Sequence, residues 1–102
     1  MIEQIITFHF SAAHCLEDHK GKCKNDHGHN YKVEAITKGK FTPEQIKALE
    51  KITSNLDNSY LNDILGRNPT AERVAKHYYD SVPAISNVTV WENENSASSY
   101  YE

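Results

Sequence analysis

The chain carries the alternating sequence HNYKVEAITK at residues 29–38. Tyr31, Val33 and Ala35 are apolar, whereas the intervening Lys32 and Glu34 are charged. Alternation with a period of two is typical of a strand with one buried and one solvated face. The apolar, β-branched and aromatic residues 4–12 predict an earlier strand, and residues 20–26 read as a loop. We therefore expect residues 4–38 to form an antiparallel pair of strands.

Two helices are predicted after this pair. Thr42 can cap the first helix, Pro43 suits its first turn, and Gln45 completes a capping box. The apolar positions that follow at helical spacing are Ile46, Leu49, Ile52 and Leu56. A second helix is predicted to begin near Pro69 and Thr70 and to end before Pro83, with residues 57–68 as a connection.

Two further strands, at residues 87–92 and 97–101, complete a ββααββ order. This order predicts one α+β domain over residues 1–102, with an antiparallel four-stranded sheet and both helices on one face. Two helices cannot also cover the edges of such a sheet. We therefore expect sheets of neighbouring subunits to associate.

The composition bounds the class of protein. The chain has 102 residues with a formal net charge of -3, which gives no reason to expect a nucleic-acid partner. It contains no apolar run of the roughly 20 residues that a membrane helix needs, and MIEQIITFHF does not resemble a signal peptide. Two cysteines without a secretion signal predict reduced thiols and a cytoplasmic location. Six of the eleven Lys and Arg residues lie between Lys20 and Lys40. They either suit an anionic small molecule such as a phosphate ester or simply cover solvated surfaces.

Histidine and cysteine are concentrated in residues 8–31, which contain five of the six histidines and both cysteines. His27 and His29 lie two residues apart and project from the same face of an extended segment. His14 ends the preceding strand, so it can approach both in an antiparallel pair. Three histidines predict a metal site with an open position, the arrangement of catalytic zinc. Cys23 as a fourth ligand would instead make the site structural, and surface histidines near the end of a hairpin are the alternative without a metal.

These motifs resemble the 6-pyruvoyltetrahydropterin synthase and 6-carboxytetrahydropterin synthase family. The resemblance rests on Phe10-Ser11-Ala12-Ala13-His14, Gly21-Lys22-Cys23 and His27-Gly28-His29-Asn30-Tyr31. It continues through Leu56-Asp57, Tyr60-Leu61-Asn62-Asp63, Asn68-Pro69-Thr70, Glu72 and Glu92. It implies the tunnelling fold, in which trimers close their sheets into a barrel and pair as hexamers, with sites between subunits.

The resemblance also implies a reaction and roles for individual residues. His14, His27 and His29 would hold Zn²⁺, Cys23 would be the catalytic base and Asp57 would belong to the proton relay. Glu92 would anchor the pterin ring, and Thr70 matches a residue near that pocket, although it could equally be only a helix cap. The implied function is a zinc-dependent lyase that converts 7,8-dihydroneopterin triphosphate to 6-carboxytetrahydropterin, with release of acetaldehyde and triphosphate. The alternatives are 6-pyruvoyltetrahydropterin synthesis and a pterin-binding homologue without turnover.

The sequence departs from the family pattern in two places. Asn58 stands where the family usually has the relay histidine after Leu-Asp. An asparagine forms hydrogen bonds but cannot carry a proton near pH 7, so either another group relays protons or the reaction is slowed or altered. The connection between Lys38 and Thr42 is also shorter than in the family.

Overall fold

A long antiparallel hairpin forms the centre of the sheet. The computed structural model describes residues 1–18 and 25–102. Strand β1 (Glu3–His14) pairs with strand β2 (His27–Lys38) in an unbroken register that runs from Glu3 opposite Lys38 to His14 opposite His27. Both strands extend farther than the predicted ranges, so both His27 and His29 lie within β2 itself.

The sheet of the described residues has five strands and is mixed. Strand β3 (Ser59–Tyr60) lies at one edge, and β4 (Asn87–Asn93) and β5 (Ser96–Tyr100) lie beyond β2, in the order β3-β1-β2-β4-β5. Strand β3 runs parallel to β1, whereas the other neighbours are antiparallel. The predicted antiparallel four-stranded sheet was therefore wrong. The additional strand has only two residues and no alternating pattern, and a contact distant in sequence defines it.

Three helices occur in the described part of the chain, where the sequence predicted two. They are α1 (Pro43–Leu56), α2 (Leu61–Leu65) and α3 (Ala71–Ser81). The predicted capping box is confirmed at α1, since the Thr42 side chain accepts from the backbone of Gln45 and the Gln45 side chain accepts from the backbone of Thr42. The short α2 falls inside the predicted connection. None of the helices described is long and apolar enough to cross a membrane.

One face of the sheet is covered by the helices and contains the core. Phe10 and Tyr31 stack there with ring centroids 4.8 Å apart, and Leu49 of α1, Leu61 of α2 and Tyr78 of α3 are fully buried in the same cluster. Full burial of each such large side chain contributes about 1.5–3 kcal/mol. The opposite face is mostly polar, with side chains that include Thr7, His9, Ser11, Asn30, Lys32 and Thr89. The helix-covered face therefore fixes the positions of the side chains at the end of the hairpin.

Candidate metal centre

The three histidines meet at the end of the hairpin, on the helix-covered face of the sheet. His14 lies directly opposite His27, and His29 lies opposite Ala12, two positions along β2. Alternation along the strand places all three side chains on one face. One ligand atom from each imidazole can be chosen so that all lie within 4.8 Å of one another. His14 is fully buried, whereas His27 and His29 are partly exposed.

Backbone carbonyl groups determine the tautomers of two of these rings. His14 Nδ1 lies 2.9 Å from the Pro69 carbonyl oxygen, and His27 Nδ1 lies 2.7 Å from that of Asn25. A carbonyl oxygen can only accept, so each Nδ1 must carry the proton. In the neutral rings, Nε2 of both histidines is then a free lone pair. These two Nε2 atoms are only 2.9 Å apart.

His29 supplies the third nitrogen, which lacks a hydrogen-bond partner in the described part of the chain. Its Nε2 is buried and has no hydrogen-bond partner among the described residues. Burial lowers the pKa of His29 below its ordinary value, and Glu92 opposes this effect, while positive charge on His14 and His27 would lower it further. His29 is therefore neutral near pH 7, the form that binds a metal.

This donor set fits a zinc ion. Two neutral imidazoles whose lone pairs face each other repel, and an unsatisfied buried nitrogen costs about 1–3 kcal/mol. A cation shared by the three nitrogens removes both costs. Tetrahedral zinc with Zn–N distances of about 2.0–2.1 Å separates two ligand nitrogens by about 3.3 Å, which small side-chain movements would reach here. The carbonyl partners of His14 and His27 are the kind of outer interaction that orients metal-binding histidines.

Glu92 lies beside the histidines, at the end of β4. Its Oε2 is 4.0 Å from His29 Nε2, and both side chains are about one-fifth exposed. A cleft opens from this point and is lined by residues that include His29, Glu92, Trp91, Lys32 and Asn30. Lys32 Nζ lies 5.1 Å from the Trp91 ring centroid. The cleft therefore combines a carboxylate, an amide, a cation and a large aromatic ring with one of the three histidines, His29.

Asp57 lies at the other edge of the hairpin. Its Oδ1 accepts the backbone N–H of Ser11 at 3.0 Å, and the backbone N–H of the following Asn58 donates to the Ser11 carbonyl oxygen at 2.6 Å. Within the described residues, no contact joins Asp57 to the three histidines. Asp57 thus binds the outer edge of β1, whereas Glu92 approaches His29 from the β4 side.

Two other predicted site residues have different outcomes. Thr70 caps α3, since its side chain accepts the backbone N–H of Arg73 at 3.3 Å. It follows Pro69, whose carbonyl oxygen binds His14, but the described residues show no contact between Thr70 and a histidine. Cys23 lies outside the described residues, so its predicted role as base stays a prediction.

Residues that the sequence reasoning did not single out surround His14. They are Pro69 through its carbonyl group, Tyr31 through a hydroxyl 3.3 Å from His14 Nδ1, and Asn62 through the backbone of Cys15, while the carbonyl group of Asn25 contacts His27. Burial raises the pKa of Tyr31 well above its usual value, so the hydroxyl stays protonated. The amino-acid type of a residue does not indicate whether its backbone carbonyl group contacts a side chain. Tyr31, Asn62 and Pro69 did lie in the motifs on which the family resemblance rests.

Two relatives with similar sequences have tetrahydropterin synthase names. A relative from Synechocystis sp., a 6-carboxy-5,6,7,8-tetrahydropterin synthase, is 35% identical over 114 residues and covers 92% of this chain and 88% of its own length. A putative 6-carboxy-5,6,7,8-tetrahydropterin synthase from Archaeoglobus fulgidus is 29% identical over 102 residues, with 88% of this chain and 87% of the relative covered.

The fold matches that of a solved structure. The 6-pyruvoyl tetrahydropterin synthase of Caenorhabditis elegans superposes with a TM-score of 0.84 at 21% sequence identity, and the match covers 99% of this chain and 95% of the other. The likeness shows the tunnelling fold, here with its mixed sheet. The family model for 6-pyruvoyl tetrahydropterin synthase matches residues 4–102. With nearly the whole chain matched, this protein belongs to the 6-pyruvoyl tetrahydropterin synthase family.

Proposed function

We propose that this protein is a zinc-dependent lyase of the 6-carboxytetrahydropterin synthase type. It would convert 7,8-dihydroneopterin triphosphate to 6-carboxy-5,6,7,8-tetrahydropterin and release acetaldehyde and triphosphate. The two relatives described above, which align over most of the chain, have 6-carboxytetrahydropterin synthase names, and this favours that product over the pyruvoyl one. We propose that the product is an intermediate in the biosynthesis of queuosine and related deazapurines.

The observation that carries the proposal is the arrangement of the three histidine nitrogens. Two lone pairs held 2.9 Å apart and one unsatisfied buried nitrogen are costly without a cation. We propose that His14, His27 and His29 hold Zn²⁺. Bound there, zinc acts as a Lewis acid that polarises substrate oxygen atoms and makes a neighbouring carbon-bound proton easier to remove.

The remaining site residues would bind the substrate and move protons. The Glu92 carboxylate can accept two parallel hydrogen bonds from the N–H edge of a pterin, which fixes the orientation of the ring. Its place beside His29 would set the pterin next to the metal histidines. Cys23 would act as the base, since a nearby cation and lysines favour its thiolate. Thr70 remains a candidate contact to the pterin in addition to its capping role.

We further propose that complete sites form between subunits of a homo-oligomer, either a trimer or a hexamer. Asp57 binds Ser11 at the outer edge of its own β1 and has no described contact with its own histidines. A site shared by two chains would let Asp57 of one chain act with the histidines of another.

A single assay tests the reaction. Purified protein is stripped of metal, incubated with 7,8-dihydroneopterin triphosphate with and without Zn²⁺, and the products are identified by mass spectrometry. We expect zinc-dependent formation of 6-carboxytetrahydropterin and acetaldehyde, with His29→Gln as the inactive control. Triphosphate elimination without acetaldehyde would assign the pyruvoyl reaction instead. No turnover of any pterin would refute the lyase proposal.

Asn58 favours a second candidate, a pterin-binding protein with little or no turnover. An asparagine cannot relay a proton near pH 7, although zinc and pterin binding need only the histidines and Glu92. In that case the protein would bind a pterin with micromolar or better affinity in calorimetry but leave the substrate unchanged. Loss of binding in Glu92→Gln would confirm that the same cleft is used.

A further inference from the structure

The side chain of Asn62 forms hydrogen bonds with the residue that follows His14. Its Oδ1 accepts the backbone N–H of Cys15 at 2.9 Å, and its Nδ2 donates to the Cys15 carbonyl oxygen at 2.9 Å. A carboxamide that binds both backbone groups of one residue takes the place of a neighbouring strand. Strand β3 pairs with β1 only at Ala12 and Ala13. Asn62 thus continues the support of β1 past His14, where the backbone ladder has stopped.

A series of hydrogen bonds starts at the same amide group and returns to the His14 ring; we call it the path. Asn62 Nδ2 also donates to Glu17 Oε1 at 2.7 Å, and that oxygen accepts the backbone N–H of Asn68 at 3.3 Å. The next residue is Pro69, which is fully buried and whose carbonyl oxygen accepts from His14 Nδ1. The path is therefore closed. It holds the backbone beside His14 at one end and the carbonyl partner of the His14 ring at the other.

A second set of contacts supports the Asn68 end of this path. Asn68 Oδ1 accepts the backbone N–H of Asp18 at 2.9 Å, and the Asn68 side chain also donates to the Asp18 carboxylate. Arg67 donates to the same carboxylate at 2.7 Å. Asn68 has a positive φ of 53°, a conformation that asparagine tolerates better than most residues. These contacts fix the peptide that presents the Pro69 carbonyl group.

We propose that Asn62 is a positioning residue for His14: it holds the His14 backbone and, through Glu17 and Asn68, the Pro69 carbonyl group that keeps the His14 proton on Nδ1. His14 then presents Nε2 to the other two histidines. The inference rests on the proposed metal-binding role of the three histidines, but the contacts themselves do not require a metal.

The chemistry of the path requires an amide at position 62. One acceptor and two donated bonds are used at once, and asparagine is the shortest side chain that offers both. Aspartate has the same shape but can only accept when ionised. Its negative charge would be repelled by the Glu17 carboxylate and by the partial negative charge of the Cys15 carbonyl oxygen. Loss of the outer partner of a metal-binding histidine typically weakens metal binding about 10- to 100-fold.

The test compares Asn62→Asp with Thr53→Val as a matched control. Thr53 forms a 2.8 Å hydrogen bond with Tyr78 between α1 and α3, so its loss lowers stability without touching the path to His14. Zn²⁺ affinity is measured by competition with a chromophoric chelator. Imidazole tautomers in the metal-free proteins are read near pH 8 by long-range ¹⁵N–¹H NMR, with His14→Gln used for assignment.

We expect Asn62→Asp to weaken Zn²⁺ binding at least tenfold and to give His14 a mixture of the two neutral tautomers. Thr53→Val should keep the single Nδ1–H tautomer and bind zinc within about twofold of the unaltered protein. Adding Glu17→Gln to Asn62→Asp should recover part of the affinity, because the new amide can donate to the aspartate. If Asn62→Asp does not fold, Asn62→Ser removes the donated bonds without adding charge and is measured in the same way.

An unchanged His14 tautomer together with unchanged zinc affinity in Asn62→Asp would overturn the proposal. An affinity loss equal to that of Thr53→Val would also overturn it, since the effect would then be one of general stability. If the unaltered protein binds no zinc, the proposed function fails. The tautomer measurement would still decide whether Asn62 positions His14.

Discussion

The backbone conformation at Asn58 limits which residues can occupy the position where the family resemblance implies a histidine. Asn58 has a φ of 56°, in the left-handed region, and its N–H is bound to the Ser11 carbonyl oxygen. Asparagine adopts this conformation at low cost, and histidine is also found there more often than most residues. The turn therefore explains why an asparagine is well tolerated. It does not exclude a histidine.

Asn58→His is expected to raise pterin turnover if the missing relay limits the reaction. The new imidazole would follow Asp57 and could carry a proton near pH 7, at a cost of about 1 kcal/mol in stability for the left-handed backbone. Turnover is measured with zinc-loaded protein and stability by urea denaturation. Asn58→Gly is the control, because it relaxes the backbone without supplying an imidazole. Equal turnover in both variants would show that proton relay does not limit the rate.

His77 of α3 provides a pH-dependent contribution to stability and lies outside the proposed metal site. Burial lowers its pKa below the ordinary value of 6.5, Asp80 opposes this shift, and Arg73 adds to it. The unfolded chain therefore binds a proton at a higher pH than the folded chain does. The stability that neutral His77 provides is complete above about pH 6.5 and falls as the pH drops toward the lower folded pKa.

We expect the difference in melting temperature between the unaltered protein and His77→Gln to be constant above about pH 6.5. At lower pH, the melting temperature of the unaltered protein should fall relative to that of the variant, since glutamine takes up no proton. Both proteins are measured by calorimetry in chelator, which removes any contribution of a metal bound at the proposed site of His14, His27 and His29. A difference that stays constant down to pH 5 would contradict the expected shift at His77.

At the scale of elements, a strand or helix could be predicted when its pattern lay within a few neighbouring residues. The alternation around Tyr31 and Val33 and the capping box at Thr42 lie within a few residues, and both predictions were confirmed. Strand β3 and the five-residue α2 have little pattern of their own. Their places depend on contacts 47 residues away in sequence, between Ser59 and Ala12 or Asn62 and Cys15. The convergence of the histidines could be inferred because strand pairing is simple. The carbonyl groups that fix their tautomers could not.

Thr42→Ala should lower the free energy of unfolding by about 1 kcal/mol while leaving zinc affinity unchanged. The alanine removes the 3.1 Å bond to the Gln45 N–H, and loss of an N-cap costs about 0.5–2 kcal/mol. The cap follows the Lys38 end of β2, and the histidines lie at the opposite end. Urea denaturation and zinc titration measure the two effects. Thr42→Ser, which retains the acceptor oxygen, should behave like the unaltered protein, and a changed zinc affinity in Thr42→Ala would show that the two ends are coupled.

At the scale of the whole molecule, one of the two edges of the described sheet is unpaired along most of β1. The N–H and C=O groups of Ser11 point away from β2, toward Asp57 and Asn58. Since strands alternate with a period of two, the same groups of Thr7 and His9 point outward too. Within the described residues no strand pairs with this part of β1.

The outer edge of β5 is exposed in the same way, and its direction is opposite to that of β1. The two edges of different copies could thus pair as antiparallel strands, as the proposed oligomer requires.

Thr7→Pro is therefore expected to prevent assembly of the proposed oligomer without unfolding the chain. Proline removes an N–H that β2 does not use, and edge positions with an outward N–H tolerate proline, whereas pairing with a second copy would lose a hydrogen bond and meet the ring. Sedimentation gives the mass, and circular dichroism reports the sheet. Thr7→Ala should remain assembled, and Phe8→Pro should unfold because its N–H faces β2. If sites form between subunits, Thr7→Pro loses turnover together with its mass. An assembled Thr7→Pro protein would show that the subunits meet elsewhere than along β1.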